Sequence, residues 1–334
     1  VFADVGQVKI FLEGDAPSCQ ILVVGDIMLD RYYYASVQRI SPEAPVPVAQ
    51  VERENAVLGG AANVAHNLAR LGYRVGLLGL TGDDVNRRVL LELLAAERID
   101  AAGLLITDRP TTTKLRVIGG HQQMIRLDFE ESAPAREANL YHLKQAFRKQ
   151  LEQTQVLIIS DYAKGVCTPE FCQYLIKLCG ANAIPVIVDP KGANWRKYRG
   201  ATVVTPNLKE INEVVAARRP IGNEDLPVKI AAELVLKRYN LGNVVVTRSE
   251  KGFSLINRET CLHVPTQACE VFDVSGAGDT FIAVLGAALC TGLEPPDAAN
   301  LANLAAGVVV AHAGTYAISR AELRKAVLEA GGRC

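Results

Sequence analysis

Short apolar runs rich in Val and Ile recur along this chain and alternate with stretches whose apolar residues return every three or four positions. Ile21-Leu22-Val23-Val24, Val75 to Leu80, Val156 to Ile159, Val186 to Val188, Val203-Val204 and Val244 to Val246 have the length and composition of strands buried on both faces. Between them the helical period covers Gly60 to Leu71, Val85 to Arg98, Glu137 to Gln153, Thr168 to Cys179, Asn207 to Val215 and Asp225 to Tyr239. This alternation predicts an α/β fold, a doubly wound and mostly parallel sheet covered on both faces, with ligand sites at the carboxyl ends of its strands. Two segments, about 46–58 and 111–129, alternate like strands with no helix between, and Gly119-Gly120 marks a turn in the second. They predict a small antiparallel β lid, an excursion from a single domain spanning 1–334.

The sharpest polar interruption is Asp273-Val274-Ser275-Gly276-Ala277-Gly278-Asp279-Thr280-Phe281, leading into Val284, Leu285, Ala288 and Leu289 at the spacing of one helical face. Gly276, Ala277 and Gly278 should therefore lie at a helix N-terminus, where unpaired N–H groups attract anions and glycine lets the backbone approach a phosphoryl group. Asp279, one step into the helix, is then a candidate acceptor for the proton of an attacking hydroxyl. Gly59-Gly60-Ala61-Ala62-Asn63 joins a diglycine to an amide that both donates to and accepts from hydroxyls. That suits a polyol, while a plain strand-to-helix turn also explains the glycines. Asp30, after the first strand, reads as a partner for the same polyol or as a cap or solvated acid.

Asn207 and Glu210, three apart where a helix opens, form either a capping box or a site for Mg²⁺ beside phosphates, with several waters retained. Thr247, Ser249 and Gly252 lie in a strand-to-turn segment that could meet phosphate or ribose, and that by itself is an ordinary hairpin. In the lid, Lys114 and Arg116 project from one face, as do Arg126 and Asp128 on the return strand. Cations on an exposed edge also discourage aggregation, but three of them converging on a polyol pocket predict a substrate that already bears phosphate. Lys191, in Asp189-Pro190-Lys191-Gly192, is a further charge for that site.

Composition narrows the partners. Lys plus Arg and Asp plus Glu both number 36, so no net field points to nucleic acid or a membrane surface. No apolar run reaches the roughly 18 to 20 residues of a membrane span, and no basic segment followed by an apolar one opens the chain. A cytoplasmic protein with a small-molecule partner is expected. The cysteines (Cys19, Cys167, Cys172, Cys179, Cys261, Cys269, Cys290 and Cys334) include no C-x-x-C pair, which favours reduced thiols over a disulfide frame or zinc site. His66, His121, His142, His263 and His312 show no metal spacing. The absence of any Gly-Lys dipeptide excludes a Walker A loop, and neither H-E-x-x-H nor G-x-S-x-G occurs. The chain opens on Val1, which leaves its natural start open.

Taken in order and spacing, Gly59 to Asn63, Asn207-x-x-Glu210 and Asp273 to Asp279 resemble the ribokinase-like carbohydrate kinases over nearly the whole chain. Four further segments, Gly25 to Tyr32, Arg39 to Pro47, Ser160 to Gly165 and Asp189 to Gly192, look like the branch that phosphorylates D-glycero-β-D-manno-heptose 7-phosphate in bacterial lipopolysaccharide-core synthesis. The resemblance implies a ribokinase-like fold, ATP and Mg²⁺, and phosphate transfer to the anomeric O1 to give the 1,7-bisphosphate; a monovalent cation is a further candidate cofactor. It implies Asp279 as the base, Gly276, Ala277 and Gly278 as the anion hole, and Asn207 with Glu210 at the Mg–ATP phosphates. Thr247, Ser249 and Gly252 would line the nucleotide with Gly276 and Gly278, while Asp30, Gly59, Gly60 and Asn63 would hold sugar hydroxyls. Lys114, Arg116 and Arg126 would take the 7-phosphate. Ser275 stands where many relatives have Thr and keeps the hydroxyl. A homodimer formed through the lid is expected by the same resemblance. Some of these kinases are fused to a nucleotidyltransferase, and the end of this chain at Cys334, soon after the last helical pattern, leads to the expectation of a stand-alone kinase. Two other functions stay open: the same fold acting on an unphosphorylated sugar or nucleoside, and a catalytically silent nucleotide-binding regulator, against which Asp279 argues.

Overall fold

The strands run β1 (Gln20–Gly25), β2 (Ile27–Ile40), β3 (Pro47–Gly60), β4 (Arg74–Thr81), β5 (Asp100–Ile106), β6 (Thr113–Gly119), β7 (Gln122–Phe129), β8 (Thr154–Ser160), β9 (Val186–Asp189), β10 (Val203–Val204), β11 (Asn243–Thr247), β12 (Phe253–Ile256) and β13 (Cys261–Val264). The helices are α1 (Val5–Glu13), α2 (Ala61–Arg70), α3 (Val85–Ala96), α4 (Glu137–Gln150), α5 (Pro169–Ala181), α6 (Leu208–Val215), α7 (Asp225–Tyr239), α8 (Ala277–Cys290), α9 (Pro295–Val309) and α10 (Arg320–Gly331). The computed structural model describes residues 2–14, 19–120, 122–215, 221–266, 271–312 and 314–331, and counts and absences refer to these. Cys269, Cys334 and His121 lie outside the described residues.

The main sheet has nine strands in the order β13-β12-β11-β10-β9-β8-β1-β4-β5. From β11 to β5 every pairing is parallel, and each apolar run predicted as a buried strand is one of these strands. Side-chain alternation sends Ile21 and Val23 of β1 into one core and Leu22 and Val24 into the other. Helices α1, α2, α3, α8, α9 and α10 close the first core, and α4 to α7 close the second. Only β12 and β13 are antiparallel, because the short turn after β11 is a hairpin and leaves no length for a crossover. Helix α8 is apolar on nearly every side, as its position between the sheet and two other helices demands. Gly286 sets its distance to the sheet, since a Cβ there would lie 2.7 Å from the Ile158 side chain.

A second sheet, ordered β3-β2-β6-β7, forms the lid. Two of its pairings are antiparallel, and the central one, β2 with β6, is parallel. The expected segments 46–58 and 111–129 supply β3, β6 and β7; β2 was not expected. Its first residues, Ile27, Met28 and Leu29, are buried and follow Asp26 directly, so the pattern reads as a polar strand end and not as a new strand. The chain changes sheets at Asp26, whose N–H donates to Ser160 O and whose carbonyl accepts from Ala61 N, both at 3.1 Å. The described cysteines are free thiols, with Cys19 Sγ and Cys290 Sγ 2.7 Å apart.

Candidate active site

Asp279 lies in the first turn of α8 with 4% of its surface exposed. Gly276 caps that helix in a left-handed conformation (φ 80°), and no side chain caps the terminus. The space in front of it is open, because a Cβ on Gly278 would meet nothing within 4 Å. Asp273 holds the preceding loop, accepting from Ser275 N and from Gly314 N, each at 2.9 Å. Both oxygens of Asp279 are occupied: Asn63 Nδ2 donates to Oδ2 at 2.8 Å, and the Tyr162 hydroxyl donates to Oδ1 at 2.5 Å. Burial pushes the carboxyl up to about 6 against these two hydrogen bonds, and the nearby charge of Asp30 adds to the rise. A carboxyl poised there is ionised at neutral pH yet basic enough to take up a proton.

Asn63 is fixed where α2 packs on α8. Asn67 Nδ2 donates to Asn63 O at 2.9 Å, and Thr280 Oγ1 donates to Asn67 Oδ1 at 2.9 Å. The diglycine before it is dictated by contact: a Cβ on Gly59 would stand 2.4 Å from Asp30 Oδ2, and one on Gly60 (φ 53°) would stand 2.6 Å from Asp26 O. The fold thus gathers Asp30, Gly59, Gly60 and Asn63 beside Asp279, from elements far apart in sequence.

Two cavities meet at the α8 terminus. The smaller, about 190 Å³, is lined by Asp161, Tyr162, Asp189, Lys191, Asn207, Thr205, Glu210, Thr247, Gly278 and Phe281. The larger, about 560 Å³, shares Asn207, Thr247 and Gly278 and passes Ser249 and Gly252 to an apolar wall that includes Val271, Val274, Ala306 and Val310. Its volume lies within the roughly 300 to 1,000 Å³ typical of small-molecule sites. Gly252 (φ 74°) could be no other residue, because a Cβ would stand 2.1 Å from Val264 O.

At Asn207 and Glu210 the capping box is formed. Asn207 N donates to Glu210 Oε2 and Glu210 N to Asn207 Oδ1, both at 2.9 Å. The remaining oxygen, Oε1, accepts from Lys191 Nζ at 2.9 Å, so capping does not remove Glu210 from the cavity wall. Lys191 is therefore not a companion of the lid cations, as the sequence suggested; the turn after β9 delivers it to Glu210 in the wall of the smaller cavity. Asp189, the last residue of β9, is pushed well above the usual carboxylate range by burial and then by the charges of Glu210 and Asp279. Among the described residues no three His, Cys, Asp or Glu side chains form a metal cage. The oxygens of Asn207 and Glu210 fit a hard cation that keeps its waters and borrows phosphate oxygens, as Mg²⁺ does.

The lid turns one face toward this centre. Register aligns Asp30, Lys114 and Asp128 in one row and Tyr32, Arg116 and Arg126 in the next. Arg116 Nη1 donates to Asp30 Oδ1 at 2.6 Å and its guanidinium stands 5.3 Å from the centre of the Tyr32 ring. Arg126 pairs with Asp128 at 2.8 Å, and Lys114 lies 3.5 Å from Asp128 and 3.4 Å from Glu130. The three cations share a face as expected, and each already has a carboxylate partner, which the spacing did not reveal. Glu130 and Lys164, bonded to each other at 2.6 Å, were also missed. Tyr162 and Asp189 carried no role in the sequence reading, although both follow buried strands at their carboxyl ends, where such residues are to be sought.

The chain belongs to the pfkB family of carbohydrate kinases, whose family model matches residues 19–322. It is 47% identical over 308 residues to the bifunctional protein HldE of Pseudomonas paraeruginosa, covering 92% of this chain and 63% of that protein. The HldE of Vibrio parahaemolyticus is 46% identical over 316 residues, 94% of this chain and 64% of its own length. The chain thus spans less than two thirds of these relatives. Among solved structures it is similar to phosphofructokinase-2 of Escherichia coli in complex with potassium, with a TM-score of 0.78 and 21% identity over 94% of this chain and 99% of that one. Arabidopsis thaliana ribokinase complexed with ribose and ATP gives a TM-score of 0.71 at 18% identity, over 93% and 99%. These likenesses establish the ribokinase-like fold.

Proposed function

We propose that this carbohydrate kinase transfers the terminal phosphate of ATP to the anomeric O1 of D-glycero-β-D-manno-heptose 7-phosphate. The product would be the 1,7-bisphosphate, an intermediate toward ADP-heptose and the lipopolysaccharide inner core. The observation that carries the reading is Asp279, buried, shifted to about 6 and set in the first turn of α8, whose N-terminus no side chain caps and at whose Gly278 two cavities meet. The heptose assignment is supported by the resemblance of Gly25 to Tyr32, Arg39 to Pro47 and Ser160 to Gly165, by the identity to HldE, and by the cationic row on the lid.

In this mechanism Asp30 and Asn63 hold sugar hydroxyls against the close backbone of Gly59 and Gly60. O1 lies against Asp279, which takes its proton as the O1–phosphorus bond forms and the bond from that phosphorus to the β–γ bridging oxygen breaks, ADP leaving with the bond's electron pair. The backbone of Gly276, Ala277 and Gly278 receives the developing negative charge on the transferred phosphoryl group, with little reorganisation. ATP occupies the larger cavity, with Ser249 and Gly252 along the nucleotide and Asn207 and Thr247 toward the phosphates. Asn207 and Glu210 would hold Mg²⁺ through water, and the ion would supply positive charge to offset that of the phosphates. A monovalent cation is a further candidate, since the Escherichia coli phosphofructokinase-2 was solved in complex with potassium.

The whole chain acts as one kinase unit with the lid as its excursion, and the lid is also the proposed dimer surface. Ile125, Leu127 and Phe129 are exposed and alternate with Arg126 and Asp128, so β7 offers an apolar face opposite its charged one. Among the described residues no helix is long and apolar enough to cross a membrane, consistent with a cytoplasmic site of action. One observation favours a second reading: because Asp30, Asp128 and Glu130 already partner the lid cations, an unphosphorylated sugar would also find a balanced pocket.

A turnover assay separates the two. With Mg–ATP, the heptose 7-phosphate, the unphosphorylated heptose, fructose 6-phosphate and ribose are compared by kcat/KM, and the product is examined by phosphorus NMR. Preference for the heptose 7-phosphate with a new anomeric phosphate is the expected result. A preference for any unphosphorylated sugar would overturn the assignment.

A further inference from the structure

The loop that follows β8 contributes a residue to the reaction that neither the glycine motif nor the diglycine contains. Asp161 to Val166 has no regular structure, yet it is held from below by one buried side chain. Asp26 Oδ2 accepts from Tyr162 N at 2.8 Å and from Lys164 N at 2.9 Å, while Oδ1 accepts from Val166 N at 3.1 Å. Asp161 Oδ1 accepts from Ala163 N at 2.7 Å, and Ala163 takes a left-handed conformation (φ 56°), a strained geometry for a residue with a Cβ. The loop is thereby preorganised, and its one side chain directed at the reacting centre is Tyr162, 2.5 Å from Asp279 Oδ1.

We propose that Tyr162 is a positioning residue that keeps Asp279 ionised and fixes the direction of its free lone pairs toward the sugar hydroxyl. This rests on the reading of Asp279 as the base. A phenol beside a carboxylate has one proton to offer and here offers it to Oδ1; Asn63 serves Oδ2, so the carboxylate plane is clamped from two sides. Burial and the charge of Asp279 hold the phenol well above its ordinary pKa, so it stays a donor throughout the working range. The titratable groups that bear on Asp279 from the surrounding elements are Tyr162, Asp30 on β2 and Asp189 at the end of β9, with Arg116 neutralising Asp30 from the lid. Burial and Asp30 favour the protonated acid; only the two neutral donors favour the carboxylate, and of these Tyr162 makes the shorter bond.

The test is the pH profile of kcat/KM for Tyr162→Phe in the full chain, run beside Asp279→Asn and Asn63→Ala. Loss of the hydroxyl should move the acid limb upward by about one unit, giving a roughly fivefold deficit near pH 6 that approaches tenfold below about pH 5 and closes to less than about threefold above pH 8. KM for ATP should not move. A fluorinated tyrosine at 162, a better donor, should shift the limb the other way, which a merely structural role would not do. Circular dichroism and thermal melting establish that Tyr162→Phe is folded; if it is not, the fluorotyrosine profile alone decides. A pH-independent loss in Tyr162→Phe, or an unmoved limb in both variants, overturns the proposal. Substantial activity in Asp279→Asn would instead overturn the reading on which it rests.

Discussion

The α8 terminus and the lid face both present charge to one centre, and they manage it in opposite ways. Around Asp279 the charge is nearly all of one sign and buried: Asp30 raises the proton affinity of Asp279, Asp279 raises that of Asp189, and neutral donors stabilise the Asp279 carboxylate. On the lid, each of Lys114, Arg116 and Arg126 lies within ion-pair distance of Asp30, Asp128 or Glu130. The first arrangement is tuned before any ligand arrives. The second must exchange partners when an anion binds, so it can discriminate between substrates but is poorly suited to drive the transfer itself.

The contrast can be broken most directly at Asp279. Asp279→Asn should bind Mg–ATP and sugar nearly as the native chain does and lose at least ~10²-fold in kcat. Because the carboxyl must be ionised to accept a proton, native activity should fall as the pH drops through about 6. Stability has the opposite sign. A folded pKa raised above the ordinary value favours folding fully below about pH 4, and that contribution is lost as the pH rises through about 6. Asp279→Asn should therefore gain relative stability above pH 6, up to about 3 kcal/mol, and lose the advantage in acid. A variant with more than a third of native kcat, or a native profile flat through pH 6, would remove Asp279 from its role.

The next largest effect should come from the lid. Removing a charge-assisted contact to phosphate costs about 1.5 to 3 kcal/mol, or roughly 10- to 100-fold in kcat/KM. Arg116→Ala should exceed Arg126→Ala, and Lys114→Ala should be mildest, following the length of the pairs they now make. The loss should appear with heptose 7-phosphate and be small with the unphosphorylated heptose. Equal factors for both substrates in all three variants would mean that the row is structural.

Glu210→Gln should produce the smallest change. The capping geometry largely survives in an amide, whereas the charge facing Lys191 and the proposed metal site does not. The half-saturating Mg²⁺ concentration should rise about three- to tenfold with little change in KM for sugar. An unchanged Mg²⁺ titration would leave Glu210 as a cap alone.

What could be read in the sequence follows from the same contrast. Buried parallel strands announce themselves as unbroken β-branched runs, so β1, β4, β8, β9 and β11 were legible, and so was the helix after the glycine loop. Each candidate position was read from its own segment, and the fold brought Asp30, Asn63 and Asp279 together from β2, α2 and α8. Strand β2 was not legible: its buried start follows a polar bend, and beyond that start it carries Arg31, Tyr33 and Arg39 without a clear period. The pairing of Arg116 with Asp30 and of Tyr162 with Asp279 was beyond reach, because both join residues more than eighty positions apart. Asn207 and Glu210 show a different limit, in which the capping box and the cavity wall are one geometry and local sequence cannot separate the two uses.

The lid is joined to the body of the protein by four passages of chain. Strand β2 departs directly after Asp26 and β3 returns at Gly60, with Ile27 and Gly60 partners in register, while β6 enters at Thr113 beside Leu29 and β7 leaves at Phe129 opposite Thr113. Asp30, Gly59, Lys114 and Asp128 stand close to these roots, and Arg116 and Arg126 lie one row further out. A sheet tied at four points along one end is a braced panel and not a free flap, so its first row is bound to the body more closely than its outer edge.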